Sequence, residues 1–389
     1  MTYYDRCLTY ISNTRIPSRK ANTYQSFCMC EAFSPLFAEV NFLYPRRWNP
    51  DKSLCDDPFT YYNVDKNFHL TALESLDNKY FASSLPIGYA FTNTLFGLVV
   101  SIRLAMMKKS ARKHVIYLRD VGALKCISLL RRCGLLKNHL IIFEEHVYSG
   151  NHLHYLRFID GLVVINEHLK KLYSDSLDLP ILTAHDGVRL QEHLGAHGNR
   201  SASQGAVKTV LYLGNFYPWK GVSTLAEAAK HVSGHVVFQF VGGSHDVNKD
   251  FFKAVKGKNN ISVLGFVERK LALNYLNNAD VVVVPNSGRD PMSSYTSPLK
   301  LFEYMAARKP VVASRLASLQ EILRDHENAV LFNPDDPADL AEKISWVLNN
   351  DCSHLVDQAW KDVQEYSWNK RAEKIVQWLG KLELGRDAT

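Results

Sequence analysis

The sequence predicts an α/β protein built from two doubly wound, Rossmann-like domains, and three observations carry that reading. Short apolar runs rich in Val, Ile and Leu recur along the chain, each followed by a helical pattern. The runs are nearly continuous rather than alternating, as in strands buried on both faces of parallel sheets. A small, polar, patternless stretch at 191–207 (QEHLGAHGNRSASQGAV) separates one series of runs from the next, as a linker would.

After a first strand ending near YISNTR, the first series comprises HVIYLRD (114–120), LIIFEEH (140–146), GLVVIN (161–166) and PILTAHDGV (180–188). The second comprises TVLYLGN (209–215), HVVFQFVGG (235–243), ISVLGFV (261–267), VVVVPN (281–286), PVVASR (310–315) and AVLFNP (329–334). Alternation of strand and helix gives parallel sheets covered by helices. The expected division is a first domain at 1–190, the linker at 191–207 and a second domain at 208–359. From about Trp360 to Leu384 the pattern is one amphipathic helix. Two such domains are expected to face each other across a cleft at the carboxyl ends of their strands, where this architecture binds ligands.

A chain of 389 residues is too long for one small core and fits two domains of roughly 100–200 residues each. With 46% hydrophobic and 22% charged residues, the composition excludes collagen-like and disordered classes. The net charge of +7 is uneven: residues 1–180 hold 22 Lys and Arg against 16 Asp and Glu, while the remainder is nearly balanced. The first half is therefore expected to face something anionic, a solvated basic surface being the alternative. Charge this modest, with no recognised module, argues against nucleic acid as a partner. Seven scattered cysteines without a C-x-x-C pair suggest neither a disulfide framework nor a zinc site, and a reducing cytoplasm is expected. The N-terminus lacks the apolar core of a signal peptide. The segment 86–107 (PIGYAFTNTLFGLVVSIRLAMM) is too polar for a span, but Lys108, Lys109, Arg112 and Lys113 follow it directly. An apolar helix with a cationic end reads either as a helix on an anionic membrane surface or as a core helix with a solvated end.

Two segments carry chemistry. In LYLGNFYPWKG (211–221) a buried strand gives way at Gly214 to a turn, and Lys220 and Gly221 open the next helix. A lysine with free backbone amides at a helix start forms an anion site, although a merely solvated lysine is the alternative. In SSYTSPLKLFEYMAARKPVVAS (293–314), Ser297 and Pro298 read as N-cap and first residue of a helix. Lys300 falls in the first turn, where a cation opposes the macrodipole unless an anion is present to be neutralised. Glu303 follows on the same face, so the pair suits a ligand with phosphate and hydroxyl groups, or forms an i,i+3 surface ion pair.

These segments resemble the retaining nucleotide-sugar glycosyltransferases of the family-4 type (glycosyl transferases group 1), which have the GT-B architecture. LYLGNFYPWKG resembles the family's G-R-x-x-x-x-K-G turn, and LGFV, ADVVVVPN, SPLKLFEYMAARKPVVAS and NAVLFNP follow in the family's order. In the first half, IPSRKANTYQSFCMCEAFS (16–34), VIYLRD, the EEH of 144–146 and VINEHLKKL have counterparts, and YSWNKRAEKI (366–375) resembles the helix that closes the fold on the first domain. The resemblance implies that Lys220 binds the donor diphosphate and Glu303 the ribose hydroxyls. Backbone amides around Ser297, Pro298 and Leu299 would cradle the pyrophosphate, with Lys300 adding charge and Gly214 and Asn215 lining the turn. Phe266 and Val267 would lie near the base. His146 would stand near the transferring sugar, and Asp120 near the sugar or acceptor. The implied reaction moves a hexosyl group from a nucleotide-diphosphate sugar to a glycan or lipid-linked acceptor with retention of configuration.

Two positions depart from the family. Asn215 stands in place of the phosphate-binding arginine, and Tyr295 in place of the first glutamate of the paired-glutamate motif. Lys300 is expected to compensate for the missing arginine. No D-x-D occurs, so metal-independent turnover without cofactor is expected, with Lys220, Lys300 and helix ends stabilising the departing diphosphate. Glu144 and His146 should share a strand face while Glu145 points away, a packing residue rather than half of a hydrolytic carboxylate pair; for His146 the alternative role is structural. Arg15, Arg19 and Lys20, after the first strand, are candidates to meet an acceptor phosphate at the inner face of the membrane, a soluble saccharide being the alternative. The competing reading of the whole chain is a GT-B-like protein that binds nucleotide with weak or no transfer, within a glycan-assembly complex.

Overall fold

The computed structural model describes residues 3–49, 51, 54, 57–76, 86–106, 114–193, 207–243, 247–295 and 297–387. These form two compact units, one of residues up to His185 together with those from Trp368 onward, the other of Asp186–Ser367. Each unit carries one all-parallel sheet covered by helices, the doubly wound α/β class expected.

The first unit runs β1 (Tyr3–Ile11), α1 (Ala21–Phe33), β2 (Phe37–Pro45), α2 (Pro58–Tyr62), β3 (His69–Leu73), α3 (Pro86–Met106), β4 (His114–Leu118), α4 (Val121–Arg132), β5 (Leu140–Glu145), α5 (Leu153–Leu156), β6 (Gly161–Val164), α6 (Glu167–Ser174) and β7 (Ile181–Thr183). The strand order is β3-β2-β1-β4-β5-β6-β7. The winding reverses between β1 and β4, so the crevice of this sheet opens beyond Ile11 and Leu118. β4 (HVIYL) is buried throughout, and Tyr10 stacks on Tyr117 with ring centroids 5.3 Å apart. The sequence did not reveal β2 and β3, because Glu39 and Asn41 interrupt the apolar run of β2 and β3 is a half-exposed edge.

The second unit continues with β8 (Lys208–Leu213), α7 (Val222–Ala228), β9 (Val236–Val241), α8 (Lys249–Val255), β10 (Ile261–Gly265), α9 (Arg269–Asn278), β11 (Val281–Val284), α10 (Leu299–Ala306), β12 (Val311–Ser314), α11 (Ala317–Gln320), β13 (Val330–Phe332), α12 (Pro337–Asn349) and α13 (Ser353–Val363). Its order is β10-β9-β8-β11-β12-β13, reversing between β8 and β11. Alternate residues of the central strands feed two cores: Val210, Tyr212, Val281 and Val283 pack with α7, α8 and α12, while Leu211, Leu213, Val282 and Val284 pack with α10 and α13. Burial on both faces explains why these runs are continuous in Val and Leu.

Several expectations are corrected. The segment 360–384 is not one helix: α13 ends at Val363, a 3-10 turn spans Gln364–Tyr366, and α14 (Trp368–Asp387) begins afresh in the first unit. The break occurs where Ser367 bridges to Val188, whose N–H donates to the Tyr366 carbonyl at 2.9 Å. The units therefore divide at 185/186 and 367/368 rather than at 190 and 359, because Asp186 and Val188 are tied into the second unit. Residues 191–193 of the expected linker belong to a 3-10 turn, Leu190–His193. Residues 194–206, like Lys108, Lys109, Arg112 and Lys113, lie outside the described residues.

Candidate functional site

In the second unit the loops after β8 and β11, at the switch point, hold several of the expected donor residues, while Phe266 and Val267 follow the outer strand β10. Gly214 and Asn215 follow β8, Lys220 and Gly221 lie between β8 and α7, and α10 is reached from β11. Gly221 has φ +69°, and a Cβ there would land on the Pro285 carbonyl just beyond β11, so only glycine permits this approach. Ser287 N–H donates to the Trp219 carbonyl at 2.9 Å, tying the same two loops.

The two lysines share an unusual setting. Lys220 Nζ lies 3.7 Å from the Trp219 ring centroid, and burial lowers its pKa to about 7. Lys300 is 9% exposed, and its Nζ lies 3.7 Å from the Tyr212 ring centroid with no hydrogen-bond partner. Burial, reinforced by the charge of Lys220 and opposed by Glu303, holds the Lys300 amine well below the usual lysine range. A Cβ on Gly214, which has φ +138°, would stand 3.3 Å from that ammonium. The backbone carbonyl of Asn215 accepts from the Tyr212 hydroxyl at 2.7 Å.

Helix α10 starts one residue later than expected. Pro298, not Ser297, is its N-cap, because the Ser297 hydroxyl is engaged elsewhere, accepting from Asp186 N–H at 3.1 Å. Leu299 and Lys300 are then the first two helical residues. Tyr295 closes a 3-10 turn and is half-buried, Phe266 is 48% exposed after β10, and Val267 packs on the core beside it. Glu303 is not isolated: its Oε1 accepts from Arg269 Nη1 at 2.8 Å, and Arg269 Nε also donates to Glu192 Oε2 at 3.1 Å.

Sequence reasoning missed four residues. Arg269 and Glu192 gave no signal because their partners are remote in sequence. Asn286, ending VVVVPN at the switch point, is fully buried with neither side-chain Oδ1 nor Nδ2 hydrogen-bonded. His193 is likewise buried with both ring nitrogens unpartnered, and burial lowers its pKa against the opposing Glu303 and Glu192 charges.

In the first unit, His146 lies just after β5, its Nε2 2.7 Å from Glu144 Oε1 and 2.8 Å from Arg119 Nη2. Glu144 is buried, with Arg371 of α14 at 3.1 Å, Arg119 at 3.5 Å, Gln25 at 3.3 Å and the Tyr117 hydroxyl on its carboxylate. Burial would raise the Glu144 pKa, but Arg371 and Arg119 hold it well below the carboxylate range. Glu145 turns to His152 and the His146 N–H. Asp120 caps α4, accepting from Ala123 N–H at 2.7 Å, and burial raises its pKa to about 6. Arg15 is half-buried with Nε lacking a partner, Arg19 pairs with Asp51 at 2.9 Å, and Lys20 is exposed at the start of α1. No group of metal-ligating side chains occurs among the described residues.

Residues 207–350 match the sequence profile of the family described as Glycosyl transferases group 1. A phosphatidyl-myo-inositol mannosyltransferase of Mycobacterium leprae is 30% identical over 213 residues, 54% of either chain. The chain spans about half the length of the curated relatives it matches. Among solved structures, sucrose-phosphate synthase of Thermosynechococcus elongatus aligns over 98% of this chain and all of its own, with TM-score 0.74 and 17% identity. HepE of Anabaena, solved in complex with UDP and glucose, aligns over 96% of this chain and 99% of its own, with TM-score 0.68 and 15% identity. These likenesses extend the shared GT-B fold over nearly the whole chain.

Proposed function

With residues 207–350 matching the profile of glycosyl transferases group 1, we propose that this protein moves a sugar from a nucleotide-diphosphate sugar to an acceptor hydroxyl, retaining anomeric configuration and using no divalent metal. The observation that carries the reading is Lys300, an ammonium buried without a hydrogen-bond partner where the charge of a second lysine reaches it. A buried, unpaired cation is costly, and a diphosphate supplies the missing charge. Negative charge developing on the leaving diphosphate would be met by Lys220, Lys300 and the amides of Leu299 and Lys300. Glu303, released in part from Arg269, would take the ribose hydroxyls. Val267 and Phe266 would flank the base, with Gly214 admitting the phosphates closely. Retention follows the family resemblance, with the leaving phosphate assisting the incoming hydroxyl.

In the first unit, His146 is assigned to the reacting centre and Asp120 to a hydroxyl of sugar or acceptor. Arg15, Arg19 and Lys20 would meet an anionic group of a glycan or lipid-linked acceptor. Six described cysteines are free thiols, which suits a reducing compartment such as the cytoplasm.

Thermal-shift and hydrolysis assays across UDP-, GDP-, ADP- and dTDP-sugars test the reading. One base should stabilise the protein, and its sugar should be turned over in the presence of chelator, with NMR showing a retained anomer in the product. Activity restored only by a divalent ion would overturn metal independence. Nucleotide binding without turnover would favour the non-transferring reading, which Asn215 and Tyr295 support.

A further inference from the structure

Helix α3 is apolar on two opposite faces. Phe96, Val100 and Leu104 are buried in the first unit. On the far side, Phe91, Leu98 and Ile102 are 53, 51 and 51% exposed, and Met106 is 75% exposed. The spacings of seven, four and four residues place these four side chains along one outer stripe. An ordinary surface helix presents charged residues there; the described outer face of α3 has Arg103 at its flank and no carboxylate. Among the described residues no helix is long and apolar enough to cross a membrane, so the stripe is not one side of a span.

The neighbouring helix extends the same character. Gly97 and Gly122 bring α3 and α4 so close that a Cβ on either would strike the other's backbone. On α4, Lys125, Leu129 and Arg132 are exposed at i, i+4 and i+7. Neither helix contains Asp or Glu in its 21 or 12 residues. An apolar stripe with flanking cations and no anions is complementary to a surface that is apolar within and negative at its boundary.

We propose that the α3–α4 face docks on an anionic lipid bilayer, the aliphatic stripe entering the headgroup–acyl boundary and Arg103, Lys125 and Arg132 meeting lipid phosphates. This docking stands apart from sugar transfer, since it involves no donor residue and is measured without turnover.

Co-sedimentation of the full chain with vesicles tests it, comparing phosphatidylcholine alone with phosphatidylcholine containing about 30% phosphatidylglycerol. Binding should favour the anionic vesicles and fade as salt rises from about 0.1 M to several times that. A variant carrying both Leu98→Gln and Ile102→Gln should bind about tenfold more weakly or worse, and one carrying Lys125→Glu and Arg132→Glu should lose the anionic preference. Because all four side chains are exposed, both variants should keep the wild-type unfolding midpoint and nucleotide binding. No binding to either vesicle overturns the proposal, as does wild-type binding by correctly folded variants. A concentration-dependent dimer in ultracentrifugation, abolished by the Gln pair, assigns the face to a second copy instead and also overturns it.

Discussion

Lys300 Nζ sits 3.7 Å from the centroid of the Tyr212 ring, and the Tyr212 hydroxyl donates to the Asn215 carbonyl at 2.7 Å. One tyrosine thus carries the amine on its face and fixes the turn after β8 with its hydroxyl. Asn215, at the position of the expected arginine, is thus held through its backbone carbonyl, and the Lys300 amine of α10 reaches the same tyrosine.

Replacing Lys300 with methionine should separate binding from stability. The variant removes a buried cation that has no hydrogen-bond partner, so the unliganded protein should unfold at the same or a higher temperature. Nucleotide-diphosphate affinity, measured by calorimetry, should fall by about tenfold to a hundredfold, corresponding to loss of one charge-assisted contact. Unchanged affinity would show that Lys300 does not substitute for the absent arginine.

Binding should also depend on pH through Lys220. With its pKa lowered to about 7, the unliganded Lys220 is largely neutral at pH 8 and largely cationic at pH 6. Diphosphate affinity should weaken as pH rises through about 7, and binding at pH 8 should take up a proton, visible as a buffer-dependent heat. Because the folded protein holds fewer protons than the unfolded chain between about 7 and 10.5, this group makes the unliganded protein more stable as pH rises across that window.

Gly221→Ala should be severely destabilising. The added methyl meets the Pro285 carbonyl and the residue must adopt φ +69°, so both sterics and backbone oppose it. A loss of about 3 kcal/mol or more is expected in denaturant titration, whereas Gly234→Ala, whose Cβ would meet nothing within 4 Å, should cost only the strain of its φ of +96°.

Arg371→Ala should cost about 3 kcal/mol by leaving Glu144 with a diminished set of partners in the interior. Glu144→Gln in that background should recover part of the loss, a coupling that a double-mutant cycle measures. The carboxylate is depressed below its unfolded value, so its contribution is present above about pH 4.5 and is lost as pH falls below that. The Gln variant should accordingly show a flatter acid limb.

The central strands were legible because burial on both faces leaves an uninterrupted apolar record, as in VVVV of β11. Lys300 stands out in the sequence because a lysine in a helix's first turn opposes the macrodipole, and the structure buries it there. The Arg269 bridge between Glu192 and Glu303 was not legible, since neither pairing leaves any periodic trace across 77 and 34 residues. The start of α10 was misread for a related reason: Ser297 looks like a cap locally, but a partner 111 residues away claims its hydroxyl.

The fold also imposes an order on synthesis. Unit two is an insertion, its ends joined where Val188 meets Ser367, and the guanidinium that neutralises Glu144 arrives only with residue 371. On the ribosome the inserted unit has all its strands before the host sheet receives its last counter-charge. The host unit should then remain the labile partner until the final helix emerges, so truncation before Arg371 should release a nascent chain whose second unit resists protease and whose first does not.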